Sequence, residues 1–371
     1  MPSSNQTNDV FYVYVGPIMC SIGLIFELIC FIVLSNKEFN GILFKYLKYQ
    51  VIFEAINLII GVVRPIHDCK TCSISKTYYS QIHFLIANVY LASVCEMSAL
   101  LCQIVSVYHC LKLISINKQF TFSKSFLAKH SHRITVVLIF FYSVILFSYQ
   151  LFQYQINYRE ETNSYHLEDS TKFDSSLWLV CESISFGIRD LLCLIILVTY
   201  NLLLYFKVRQ NIKHKIFVIK FNIRSKISTI RPINSDFNHN NFSTDKLFMK
   251  GGNDQIIGNN VNCNKTTHIE FDFPSTPGIK QIEKFENRIA IMVIISSINY
   301  VFGRIPILLF FIIRNFNKGP EMGPVLYFAV FQVYFSYSIG FFIFYFINKR
   351  FKYVFLKMIN NLFNIYNIHK K

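Results

Sequence analysis

Seven stretches of this 371-residue chain are each long and apolar enough to cross a bilayer. They cover 10–34, 44–63, 84–107, 134–152, 177–206, 289–313 and 325–347. A hydrocarbon core of about 30 Å takes about 20 apolar residues in a helix. Lipid offers no partner to backbone N–H and C=O groups, so each stretch must bond within itself as a helix. The expected fold class is therefore an all-α membrane protein, a seven-transmembrane helix bundle. The second stretch carries Lys45 and Lys48 near its start, where long side chains can snorkel to the interface. The fifth is the longest, which predicts tilt or an extension beyond the membrane. The first lacks preceding basic residues and a small-residue cleavage pattern, so it is read as a span and not a secretory signal.

Orientation follows from the basic residues. The chain has 37 Lys and Arg against 21 Asp and Glu. With the N-terminus outside, 28 of the 37 fall in the inner segments and 7 in the outer ones, and Arg189 and Arg304 lie within spans. The short loop with Lys112, Lys118, Lys124, Lys129 and Arg133 has no acid, while the loop with Glu160, Glu161, Glu168, Asp169 and Asp174 is net acidic. This asymmetry predicts a multi-pass plasma-membrane protein with residues 1–9 extracellular and the C-terminus cytoplasmic. The Asn5-Gln6-Thr7 sequon is usable in that orientation, which makes Asn5 a glycosylation candidate. The basic excess belongs to loops and not to a stripe on a soluble domain, so nucleic acid is not an expected partner.

One long polar break, 207–288, interrupts the bundle. Its middle, from Asn234 to Asn264, is rich in Asn, Ser, Thr, Asp and Gly and reads as a disordered cytoplasmic loop. Its basic ends are expected to extend the flanking helices. In 348–371, Phe351, Phe355, Ile359 and Phe363 recur every four residues, with Lys349, Arg350, Lys352 and Lys357 between them. That pattern predicts a short amphipathic helix against the inner leaflet, with membrane lipid as its partner.

The ten cysteines do not form a disulfide framework. Most fall inside apolar runs, where Cys is a small hydrophobe. Cys69, Cys72 and Cys181 fall near the outer face and are the disulfide candidates. Cys69-Lys-Thr-Cys72 has no second pair or His partner to make it a metal site. His83, His109 and His166 lack metal spacing, no glycine-rich phosphate loop is present, and no nucleophile stands beside a base. No metal, cofactor or enzymatic activity is expected. Trp178, at the border of the fifth span, is read as an interface anchor.

An ionisable side chain at bilayer depth costs at least about 2.5 to 3.5 kcal/mol, so such groups face the bundle interior or a wet cavity. Glu27, Glu54, Glu96, Glu182, Arg189, Asp190 and Arg304 all lie in spans. Glu96, Glu182 and Asp190 are the ligand-pocket candidates, with interhelical ion pairing as the alternative role. Arg189 and Asp190 are adjacent, so on an α-helix they should diverge, and at least one should reach another helix. Arg304 stands two residues before Pro306, and a helical proline frees a backbone carbonyl and bends the helix. The pair is expected to form a hinge, with Arg304 meeting an acid of the third or fifth span, and a static kink is the alternative. The acidic outer loop is expected to be a solvated face, or else to attract a basic peptide or amine.

Seven spans, an outside N-terminus, a long third inner loop and an amphipathic helix after the last span resemble a G-protein-coupled receptor of the rhodopsin-like class. The most specific match is Tyr345-Phe-Ile-Asn-Lys-Arg-Phe351, similar to the end of the seventh-helix motif and its join to an eighth helix, although Phe341 and Phe342 stand where that motif has Asn-Pro. Tyr46-Leu47 followed by Glu54 resembles the second-helix pattern, with Glu in place of the sodium-site Asp. The resemblance places Ser98 and Ser338 beside Glu54 as sodium- or proton-site candidates. Pro306 resembles the sixth-helix proline. The third-helix switch triplet is replaced by Tyr108-His109-Cys110, Arg304 replaces the sixth-helix Trp, and the fourth-helix Trp and fifth-helix Pro are missing. His109, Arg304, Pro306 and Tyr345 are the switch candidates.

The chain is most similar to divergent invertebrate members, such as nematode-type serpentine chemoreceptors and peptide receptors. The resemblance implies transduction of an extracellular small peptide or chemosensory molecule to a heterotrimeric G protein. The alternatives are an ion-coupled secondary transporter and a seven-helix chemosensory channel, the latter with the opposite orientation.

Overall fold

The computed structural model describes residues 14–68, 72–115, 126–160, 163–170, 175–229, 277–316 and 323–369. Asn5, Cys69, Glu161, Asp174 and the polar middle of the long loop lie outside these residues. Seven helices are long and apolar enough to span a membrane, and the protein is a multi-pass membrane protein. Two compact units divide the chain: Met1–Asn211 with Glu283–Lys371, and Ile212–Ile282. The first holds everything described below except the ends of two long helices.

The helices are α1 (Gly16–Leu34), α2 (Ile42–Val63), α3 (Ala92–Ser115), α4 (Phe126–Phe147), α5 (Cys193–Thr229), α6 (Pro277–Phe316), α7 (Gly323–Ile347) and α8 (Lys349–His369). The third span begins earlier than the apolar run suggests, with a helical turn at Tyr78–His83 and a π-helical stretch at Phe84–Leu91 leading into α3. The fifth span is likewise composite. Ser175–Phe186 leads through a π-helical stretch, Gly187–Leu192, into α5. The basic ends of the long loop do prolong their helices, since α5 runs on to Thr229 and α6 starts at Pro277.

Each helix shows the burial pattern of a chain dissolved in lipid. On α1, Ile18, Ile22, Ile25 and Ile32 are exposed, whereas Cys20, Gly23, Glu27 and Cys30 are buried. Large apolar groups face outward at helical spacing, while small and polar groups face the neighbours. Gly23 is needed for this packing, because a Cβ there would lie 2.4 Å from Ser338 Oγ of α7. One continuous core joins α1, α2, α3, α5, α6, α7 and α8, and a smaller one (Tyr46, Phe53, Cys95, Ala99, Cys102, Val136, Ile139) seats α4 on α2 and α3.

Asn348 makes the junction between α7 and α8. Its Oδ1 accepts the backbone N–H groups of Arg350 and Phe351, at 3.1 and 3.2 Å, as an N-cap that ends one helix and starts the next. Phe351 is fully buried against Phe39, Phe341 and Phe344. Arg350 adds an ion pair at 2.9 Å to Glu38 in the loop after α1. The apolar stripe of α8 therefore starts by packing on the bundle and ends exposed at Phe363.

Two features depart from the sequence reading. The connection after α4 forms an antiparallel hairpin, β1 (Tyr154–Arg159) with β2 (Ser164–Asp169), turning through Asn163 at φ 47°. Asn tolerates that left-handed conformation better than most residues. Trp178 is only 8% exposed, so its indole packs inside the protein and is not an outer-border anchor. Its neighbours Leu177, Leu179 and Val180 take the lipid-facing positions instead.

Candidate functional site in the bundle interior

The buried charges gather in two places. The larger centres on Arg304, which α6 carries two residues before Pro306 at 3% exposure. Its Nη1 lies 3.0 Å from Glu96 Oε2 of α3 and 4.0 Å from Asp190 Oδ1 of the fifth span. Its Nη2 donates to the hydroxyls of Tyr300 at 3.3 Å and Tyr337 of α7 at 3.1 Å. Tyr300 in turn donates to the backbone carbonyl of Glu96, at 3.3 Å. One guanidinium thus ties four helices together through its fork of donors, a task for which Lys has the wrong shape. Arg304 meets acids of both the third and the fifth span.

Arg189 completes the cluster. Its Nη1 reaches Glu96 at 3.4 Å, and its guanidinium lies 5.5 Å from the Phe147 ring centre at the end of α4. It also pairs with its neighbour Asp190, Nη2 to Oδ2 at 2.6 Å and Nε to Oδ2 at 2.8 Å. The expected divergence of these two side chains is corrected here. They sit in the π-helical stretch Gly187–Leu192, whose wider turn changes the angle between successive side chains, and the long Arg stem folds back. Two arginines and two carboxylates balance one another inside the bundle. Glu96 and Asp190, candidates for ligand contact, are thus engaged in interhelical ion pairs. Glu182 is half-buried and makes no hydrogen bond or ion pair with another described residue.

Close packing surrounds this cluster. A Cβ on Gly303 would lie 2.4 Å from Ser336 Oγ and 2.7 Å from its Cβ, so α6 and α7 touch through a glycine beside Arg304. Asn299 Nδ2 donates to the Ser336 carbonyl at 2.7 Å across the same seam. Further along α6, Ser297 accepts from Gln103 of α3 at 2.6 Å.

The second place is a small cavity of ≈ 20 Å³ between α1, α2, α6 and α7, with room for about one water molecule. Glu27, Gln50, Glu54, Ser296, Asn299 and Ser336 are among its lining residues. Gln50 Nε2 donates to Glu54 Oε1 at 2.8 Å, but Glu27 Oε2 and Gln50 Oε1 have no hydrogen-bond partner among the described residues. Glu27 is 1% exposed. The trio Glu54, Ser98 and Ser338 does not assemble as a site. Ser98 instead donates to Ser143 of α4 at 3.1 Å, and Ser338 bonds back to Tyr334 against Gly23. Helix registers that sequence spacing does not encode give Glu54 the company of Glu27.

The other switch candidates stand apart from these clusters. His109 stacks on Tyr46 of α2, with ring centres 5.2 Å apart. Tyr345 stacks on Phe341 and meets Phe355 of α8 edge-on. Cys72 is disulfide-bonded, whereas Cys181 carries a free thiol and is corrected as a disulfide candidate. Among the described residues, no group of three or more His, Cys, Asp or Glu could hold a metal.

Sequence reasoning missed Tyr300, Tyr337, Asn299 and Gly303. Tyr300 had a signal, because it lies four residues before Arg304 and so on the same helical face. Comparison with protein-family models found no match, and comparison with curated proteins found none either.

Proposed function

We propose that the chain is a G-protein-coupled receptor that passes the binding of an extracellular small peptide or chemosensory molecule to a heterotrimeric G protein. The observation that carries this reading is the Arg304 clamp beside Pro306. Glu96, Asp190 and Tyr337, from three other helices, all converge on one side chain of α6. Pro306 cannot donate a backbone hydrogen bond to the Phe302 carbonyl, so α6 is weakest just where the clamp holds it. A ligand that competes for Arg304 or for its acids Glu96 and Asp190 weakens this hold and lets the cytoplasmic end of α6 swing out. Two packings separated by a few kcal/mol, each favoured by a different partner, are what such a switch requires. The G protein would dock on the inner, basic side of the first unit.

The test places an epitope tag before Met1 in intact cells and measures recruitment of a panel of mini-G proteins. Surface staining without permeabilisation, with basal recruitment raised by Arg304→Ala, supports the reading. An Arg304→Ala protein that reaches the surface with wild-type basal activity and dose response overturns the switch. The Glu27–Glu54 cavity favours a second reading, an ion-coupled transporter, because buried acids without a basic partner suit passage of a proton or cation. Substrate flux lost in Glu27→Gln, with no mini-G recruitment, would select it.

A further inference from the structure

A third polar site lies outside the bundle interior, at the end that the Lys/Arg asymmetry assigns to the outside. The hairpin and the residues leading into the third span enclose an open cup of ≈ 700 Å³, within the size range of small-molecule and peptide-end pockets. Its lining residues include Tyr78, Tyr79, Tyr158, Tyr165, Lys76 and Asn163. The four tyrosines form one connected aromatic surface. Ring centres lie 6.3 Å apart for Tyr78 and Tyr79, 5.5 Å for Tyr78 and Tyr165, and 5.1 Å for Tyr158 and Tyr165. Tyr79 is 83% exposed and Tyr158 50%, so large ring faces remain uncovered.

The scaffold beneath is built and not loose. Thr77 Oγ1 accepts the Ser80 backbone N–H at 3.2 Å as an N-cap. Gln81 Nε2 donates to the Ser75 carbonyl at 3.0 Å, and Ser75 Oγ donates to the carbonyl of the disulfide-bonded Cys72 at 2.7 Å. On the hairpin side, the Tyr158 hydroxyl donates to Asn163 Oδ1 and fixes the turn.

Charge selects the ligand. Among the described residues, Lys76 is the one ionic side chain lining the cup, and it forms no ion pair with another of them. The nearby hairpin charges of Arg159 and Glu168 neutralise each other at 2.6 Å. A lone ammonium group repels a cationic ligand. It presents a single positive point charge, which one singly charged carboxylate balances. The tyrosine rings meet edge-on or tilted, at 71°, 64° and 56°, and a further aromatic ring suits such a cluster.

We infer that this cup binds an aromatic carboxylate, with the ring against Tyr78, Tyr79, Tyr158 and Tyr165 and the carboxylate on Lys76. The inference deepens the receptor reading and rests on its orientation. Its chemistry has two sources, a free aromatic acid or the C-terminal aromatic residue of a peptide. The acidic loop, read from sequence as a solvated face or else an attractor of basic ligands, thereby takes on neither of these as its main role.

The experiment uses the full chain in lipid nanodiscs without a G protein, so a failure of coupling leaves it unaffected. Saturation-transfer NMR is recorded with 3-phenylpropionate, its amide, and Gly-Gly-Gly-Phe with a free or an amidated C-terminus. The acids are expected to bind about threefold to fivefold more tightly than the amides, the size of an exposed ion pair. Lys76→Gln should erase that preference and Lys76→Arg should keep it, while Tyr79→Leu, at an exposed position, weakens acid and amide alike. Tighter binding of the peptide assigns the cup to a peptide terminus, and tighter binding of 3-phenylpropionate assigns it to a free acid. Equal binding of acid and amide, or a preference that survives Lys76→Gln, overturns the inference.

Discussion

The two polar sites inside the bundle lie close together, with α6 and α7 contributing to both, yet they handle charge in opposite ways. Around Arg304 the protein supplies both signs. Glu96 and Asp190 meet Arg304 and Arg189, and the hydroxyls of Tyr300 and Tyr337 take up remaining donors. Around Glu27 and Glu54 it supplies acids and neutral groups only, and leaves one carboxylate oxygen without a partner. A balanced cluster holds helices together by itself. No basic side chain lines the acid cavity among the described residues, and Arg304 acts on Glu54 only from the neighbouring site, so a proton or a small cation is the natural counter-charge there. The first site is suited to joining helices, and the second to sensing what enters.

Removing Arg304 should break this contrast most severely, because it leaves Glu96 and Asp190 to share Arg189 alone, two acids against one base. Loss of one partner of a buried pair typically costs about 3 to 5 kcal/mol, so thermal unfolding of Arg304→Met in nanodiscs should show a large fall in Tm. An unchanged Tm would mean that the clamp carries no net stability. Gly303→Ala attacks the same region by volume. The new methyl meets Ser336, so α6 and α7 must part, at about 1 to 3 kcal/mol by the cost of overpacking. Unfolding measurements should place it between the Arg304 variant and wild type.

Glu27→Gln should act in the other direction. It removes a buried carboxylate with an unmade hydrogen bond, a defect of about 1 to 3 kcal/mol, and gives Glu54 an amide donor. A raised Tm sharpens the contrast, whereas a lowered one would show that the acid is held by contacts of its own.

The smallest effect belongs to an ion pair outside the membrane. Hydrogen bonds from Asn157 and then Arg159 hold the Glu168 carboxyl below the usual carboxylate range. A depressed value means that its contribution is present at neutral pH and is lost as pH falls through the folded-state value. Hydrogen-exchange protection factors across Tyr154–Asp169, corrected for the intrinsic pH dependence of exchange, should therefore fall on acidification, and that fall should vanish in Glu168→Gln.

Much of this was legible in the sequence for a simple reason. Lipid forbids unpaired backbone and penalises unpaired charge, so apolar runs had to be helices, and Arg304 had to find an acid across the bundle. The rest depended on rotation and register. Nothing in the spacing of Glu27 and Glu54 shows that α1 and α2 bring them to one cavity. Ser98 and Ser338 were assigned to the wrong neighbours for the same reason. The pairing of Arg189 with Asp190 required a π-helical stretch, which leaves no mark in a hydrophobic pattern. The hairpin was hidden because Tyr154 to Asp169 alternates only weakly and one face is open to water.

Those π-helical stretches have a consequence for how this chain tolerates change. Phe84–Leu91 and Gly187–Leu192 each accommodate surplus backbone within an otherwise regular rod. One residue is worth about 100° of rotation on an α-helix, and the wider π turn absorbs its extra residue so that the two sides of each stretch stay in phase. Deleting a single residue between Trp178 and Gly187, outside the π stretch, would keep the fifth span apolar and long enough, and a hydropathy profile would not notice. It would nevertheless turn the rod beyond the deletion like a key in a lock, taking Trp178 out of the packed interior. Length is the cheap property of these two spans, and phase is the one they cannot lose.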